Sequence, residues 1–178
     1  MKIDDLTSRL AIFDRQCGSY VFTRCELAAM FPSESDEAME KSIKRMRAMG
    51  VLYRVSKGVY INPYAKSRNR FIAEAIAHAM RRGQISYVSL ESILSEYGLI
   101  SQVPISYLTV MTTGRSGIVK TTHGTIEFTH TKRSREDIMA RTMERPKCPL
   151  RIATQWAAVE DLRRVGRNLN MLDFEQEA

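Results

Sequence analysis

The chain has 178 residues, 44% of them hydrophobic and 26% charged, with a net charge of +7 and a sequence pI near 9.5. That composition excludes a disordered or fibrous chain, and the positive balance favours a polyanionic partner. No apolar run approaches the roughly 20 residues that span a bilayer, and the opening MKIDDLTSRL does not read as a signal peptide. Three scattered cysteines form neither a disulfide framework nor a zinc site, so buried reduced thiols in a cytoplasmic protein are expected.

In chain order, the first predicted helix sets Leu6, Leu10 and Phe13, with Ile3 and Ala11, toward a core and ends at Cys17-Gly18. Thr23 and Glu26 have capping-box spacing, so a second helix starts at Arg24; Leu27, Ala28, Met30 and Phe31 give it a buried side, and Pro32 stops it. Ser33 or Ser35 caps a third helix, with Asp36 and Glu37 at the positive end of its dipole. Met39, Ile43 and Met46 form one apolar stripe at i, i+4 and i+7, and Gly50 terminates the helix near Met49. Val51 to Val55 and Val59 to Ile61 read as two strands joined by Ser56-Lys57-Gly58.

Helix, turn, basic helix and hairpin follow in the order of a winged helix-turn-helix, whose partner is duplex DNA. With the stripe inward, Lys41 and Lys44 face outward, flanked by Glu40, Arg45 and Arg47, while Arg54, Lys57 and Tyr60 belong to the wing. Lys41, Lys44, Arg45, Arg47, Arg54, Lys57 and Tyr60 are therefore the candidate DNA-binding residues. The charge distribution agrees: residues 1–70 hold 13 basic and 8 acidic side chains, residues 71–178 hold 14 and 12.

Asn62-Pro63 breaks the pattern, and the basic connector from Tyr64 to Asn69 sets the expected domains at 1–63 and 64–178. Phe71 to Arg82 reads as a helix, and Ser89 as the cap of another, LESILSEY. Pro104 to Thr112, Ile118 to Thr121 and Thr125 to Thr129 are β-branched segments that fit a three-stranded meander. Residues 133–149 are polar, with Pro146 and Pro149 discouraging a long helix. A last helix from about Thr154 to Asn168 is expected to bury Trp156, Val159 and Leu162, with a frayed acidic tail ending EQEA.

The runs RMRAMGVLYRVSKGVYIN, YVSLESILSEYGLI and ISYLTVMTTGRSGIVKTTHGTIEFTH make residues 20–130 similar to AbiEi-type antitoxins, the abortive-infection family of type IV toxin–antitoxin systems. The resemblance implies an α+β fold: an N-terminal winged helix-turn-helix followed by a smaller α/β antitoxin domain with helices and an antiparallel β-meander. It further implies repression of the chain's own operon at inverted repeats in promoter DNA, through a homodimer or cooperatively loaded monomers. The second domain would neutralise a cognate nucleotidyltransferase-type toxin, with or without direct contact. The alternatives are a stand-alone winged-helix regulator whose C-terminal half senses a ligand or dimerises, and a protein-interaction module.

No constellation points to catalysis, a metal or a cofactor. His78, His123 and His130 lack ligand spacing, there is no nucleophile elbow, and Glu136-Asp137 and Glu160-Asp161 read as solvated faces. Gly114-Arg115-Ser116-Gly117 lacks the phosphate-loop pattern and reads as a hairpin turn, although Arg115 and Lys120 form a candidate second anion-facing patch, for DNA beyond the wing or for the toxin's RNA. Met39, Met46, Met49, Met80, Met111 and Met143 are expected to be mostly interior.

Overall fold

A computed structural model describes residues 1–100 and 106–171; the start of the strand expected at Pro104 and the EQEA tail lie outside them. The fold is α+β, and the chain divides into one unit from Met1 to Ile72 and another from Ala73 onward.

The first unit runs α1 (Ile3–Cys17), β1 (Val21–Thr23), α2 (Arg24–Met30), α3 (Asp36–Ala48), β2 (Tyr53–Ser56) and β3 (Val59–Ile61). Each boundary has a local cause. Gly18 closes α1 in the left-handed conformation (φ 60°), Thr23 and Glu26 complete the capping box of α2, and the Ser35 side chain accepts the Ala38 amide at the start of α3. The antiparallel sheet has the order β1-β3-β2, with Val21 opposite Ile61 and Tyr53 opposite Ile61 on the other side. Leu6, Leu10, Phe22, Leu27, Met39, Ile43, Met46 and Leu52 share one core.

The connector after β3 is tied back to this unit. Amides of Lys66 and Ser67 donate to the Asp14 carboxylate (2.8 and 3.0 Å), and the Ser67 hydroxyl donates to the Gly18 carbonyl. Burial opposes ionisation of Asp14, but these hydrogen bonds prevail and hold its carboxyl below the usual value.

The second unit contains α4 (Ile72–Met80), β4 (Ser86–Val88), α5 (Glu91–Glu96), β5 (Tyr107–Thr112), β6 (Gly117–Thr121), β7 (Gly124–His130), α6 (Arg135–Arg141), β8 (Thr142–Met143), β9 (Arg151–Ala153) and α7 (Gln155–Val165). It is the larger unit, not the smaller, because it carries a six-stranded sheet of order β6-β7-β5-β4-β9-β8. The expected meander is corrected: β7 lies between β5 and β6, parallel to β5 and antiparallel to β6. Burial explains the choice. β5 is buried almost throughout and requires a neighbour with an apolar face; β7 supplies Ile126 and Phe128, whereas β6 buries no residue and takes the edge. The 114–117 segment is therefore a crossing connection over β7, not a hairpin turn.

Three further expectations change here. Ser89 does not cap α5; Leu90 holds the cap position, and the buried Ser89 hydroxyl donates to Asp161 at 2.9 Å. Helix α7 is rotated from the expected face: Trp156 is 61% exposed, while Asp161 is fully buried beside Ala157, Ala158 and Leu162. Tyr87, Ser89 and Arg133 all donate to Asp161 (2.9, 2.9 and 3.0 Å), so the carboxylate is buried with its hydrogen bonds made, and the small alanines let the helix approach the sheet. The displaced indole lies under the Arg141 guanidinium, 4.4 Å from the ring centroid. Lastly, Met49 and Met143 are exposed, as are Cys17 and Cys25. Among the described residues, no helix is long and apolar enough to cross a membrane.

Candidate nucleic-acid interface

The rotation of α3 follows from its apolar stripe. Met39, Ile43 and Met46 are almost completely buried, worth roughly 5–9 kcal/mol together at the usual transfer values, far more than any exposed ion pair. With that face inward, Glu37, Lys41, Lys44 and Ala48 form the opposite stripe at i, i+4, i+7 and i+11, all exposed. Arg45 and Arg47 stand on its flanks.

The acidic residues at the start of α3 are neutralised locally. Lys41 pairs with Glu37 (2.7 Å), and Arg24 at the start of α2 pairs with Asp36 (2.9 Å) and reaches Glu40 (3.7 Å). The Asp36 hydrogen bond raises the Arg24 pKa above its ordinary value. Arg24 was not foreseen as a site residue; only the pairing of α2 with α3 brings it to these carboxylates. Its backbone amide also donates to the Gly58 carbonyl at 2.8 Å, tying the hairpin tip to α2.

The remaining candidates separate. Lys44, Arg47, Arg54 and Lys57 are exposed, and none forms an ion pair with a described carboxylate. Arg45 is exposed, but its guanidinium donates to the Met1 carbonyl and is folded back on its own unit. Tyr60 is the clear correction: it is 5% exposed and belongs to the core cluster together with Phe22, its cross-strand neighbour on β1. Tyr53, on the edge strand β2 beside Arg54, is the exposed aromatic of the hairpin, and strand alternation alone did not single it out.

In the second unit, Arg115 and Lys120 do not share a site. Lys120 is exposed on the edge strand opposite Thr125. Arg115 instead lines a cleft of about 870 Å³ with Arg81, Arg82 and His130, and no carboxylate is among its described lining residues. The sequence marked Arg81-Arg82-Gly83 only as a helix end. Among the described residues, no group of three or more His, Cys, Asp or Glu side chains is placed to hold a metal ion.

A family described as one of unknown function, DUF6088, matches residues 16–144. The chain belongs to that family. The DUF6088 segment takes in α2, α3, the β2–β3 hairpin and the Arg115 cleft, and it ends before β9 and α7. No curated protein shows significant similarity to the chain.

Proposed function

We propose that the chain is a DNA-binding antitoxin of AbiEi type. Its first unit acts as a winged helix-turn-helix: α3 enters the major groove with Lys41, Lys44 and Arg47 toward the duplex, and Arg54 and Lys57 reach the flanking backbone. The target is inverted repeats in its own promoter, bound by a dimer or by cooperatively loaded monomers. The second unit neutralises a nucleotidyltransferase-type toxin, and the protein works in the cytoplasm, without catalytic activity, metal or cofactor.

The observation that carries the reading is the arrangement α1-β1-α2-α3-β2-β3 with sheet order β1-β3-β2, together with the cationic outer stripe of a helix whose opposite face is buried. The similarity of residues 20–130 to AbiEi-type antitoxins supports the second half. The test is a gel shift on the chain's own promoter with Lys41→Glu/Lys44→Glu, using circular dichroism to verify the fold. Promoter binding should be lost with the fold intact; unchanged affinity defeats the assignment of α3. Co-expression of the full chain with the adjacent gene product should restore growth if that product is the toxin.

One observation favours a second reading, a stand-alone regulator with a ligand-sensing C-terminal half. The basic cleft at Arg115 is a concave site with a volume in the range of small-ligand pockets. A neighbouring nucleotidyltransferase gene supports the antitoxin reading, and growth that the chain fails to rescue supports the regulator.

A further inference from the structure

Helix α3 contains the same acid–base spacing twice. Glu37 precedes Lys41 and Glu40 precedes Lys44, each at i, i+4 with the acid nearer the helix N-terminus, the orientation that favours an ion pair. All four side chains are exposed. Glu37 and Lys41 meet at 2.7 Å, yet Lys44 forms no ion pair with a described carboxylate. Helix geometry treats the two pairs alike, so the difference comes from outside α3.

It comes from Arg24. Its Nη2 lies 2.9 Å from Asp36 Oδ1 and its Nε 3.7 Å from Glu40 Oε1, so one guanidinium spans two carboxylates a helical turn apart. Nη2 also donates to the Asp36 carbonyl at 3.5 Å. Arg24 is fixed from its own side as well: it opens α2 directly after the Thr23 cap, and its amide donates to the Gly58 carbonyl. Its side chain is 32% exposed, against 77% for Lys41. A confined guanidinium with a planar fork gives up less side-chain freedom on pairing than a solvated lysine stem does, so it prevails at Glu40. Glu37, on the neighbouring row of the helix, is left to Lys41.

We infer that Arg24 is a positioning residue of the α3 surface: by occupying Glu40 it keeps Lys44 out of an ion pair and open to a phosphate. It acts through Glu40 and Asp36 and reads no DNA itself. Without it, Glu40 captures Lys44 as Glu37 captures Lys41, and the Asp36 carboxylate loses its partner on the same row. The consequence for DNA rests on the DNA-binding reading of α3; the competition for Glu40 does not.

The test has two readouts on the full chain, with circular dichroism to verify the fold of Arg24→Ala, Arg24→Lys, Glu40→Gln and Arg24→Ala/Glu40→Gln. The first needs no DNA: acetylation of lysines by an N-hydroxysuccinimide ester, followed by peptide mass spectrometry. Lys44 should react faster than Lys41 in the wild type, slow about twofold in Arg24→Ala, and recover in Arg24→Ala/Glu40→Gln. The second is anisotropy on promoter DNA. Arg24→Ala should weaken binding about threefold at low salt and flatten the salt dependence toward that of Lys44→Ala. Arg24→Ala/Glu40→Gln should restore the salt dependence although it lacks the arginine, and Arg24→Lys should fall between Arg24→Ala and the wild type. Lys44 reactivity that Arg24→Ala leaves unchanged, or that Glu40→Gln fails to restore, overturns the inference. So does a flattened salt dependence that persists in Arg24→Ala/Glu40→Gln, which would make Arg24 a phosphate contact in its own right. Labelling as expected in a chain that leaves promoter DNA unbound defeats the DNA-binding reading and leaves the competition for Glu40 standing.

Discussion

Replacing Lys44 with alanine removes a cation from the centre of the outer stripe of α3, whereas replacing Arg45 removes one already committed to the Met1 carbonyl. The two substitutions change net charge equally, so only the direction of the side chain separates them. On the outer side of α3 and on the hairpin, Lys44, Arg47, Arg54 and Lys57 are exposed cations without a described carboxylate partner. At about 0.9 per phosphate contact, those residues give a slope of roughly −3.6 for log affinity against log salt, or about 150-fold weaker binding between about 50 and 200 mM salt. Lys44→Ala should reduce the slope to roughly −2.7 and the loss to about 40-fold, while Arg45→Ala leaves both unchanged. Fluorescence anisotropy on a labelled promoter fragment, repeated across salt concentrations, measures this directly. A wild-type slope in Lys44→Ala, or an equal reduction in both variants, would refute the orientation assigned to α3.

Glu37→Gln should tighten DNA binding about threefold, because it frees Lys41 from its ion pair and removes a carboxylate facing phosphate; the same anisotropy assay checks it. Asp161→Ala should destabilise the second unit by about 3–5 kcal/mol in urea unfolding, since it leaves Arg133, Tyr87 and Ser89 without their shared acceptor, and Asp161→Asn should cost less. Burial alone would raise the Glu127 pKa, but hydrogen bonds from Arg167 and Tyr107 hold it below its ordinary 4.5. Its stabilising contribution is thus present above that value and lost as pH falls through the lower folded one; the urea midpoint should drop on acidification, less so in Glu127→Gln. Burial pushes the Cys148 thiol up to about 11, so iodoacetamide should modify it well after the exposed Cys17 and Cys25, as followed by peptide mass spectrometry.

The first unit was largely legible because its signals are local. Capping residues mark helix starts, Gly18 and Gly50 mark ends, and a stripe at helical spacing sets which face of α3 is buried. Such features act within a few residues, so the order of elements and the outward direction of Lys41 and Lys44 follow from spacing. Tyr60 failed because the buried face of a strand is set by what packs against the sheet: its ring joins Phe22, its cross-strand neighbour, in one core cluster with residues of the helices, and a three-residue strand carries no alternation that reveals this.

In the second unit, the chain alone determined that β-branched segments follow two helices, and that Trp156 and Asp161 share one helix. Tertiary structure decided everything that depends on distant partners. β7 displaced β6 from the side of β5 because apolar faces seek each other regardless of sequence order. Asp161 went inside because Tyr87, Ser89 and Arg133 converge on it, and no spacing rule for a helix encodes donors on other elements. The gathering of Arg81, Arg82, Arg115 and His130 has the same origin: a crossing connection unites residues that the linear pattern keeps apart.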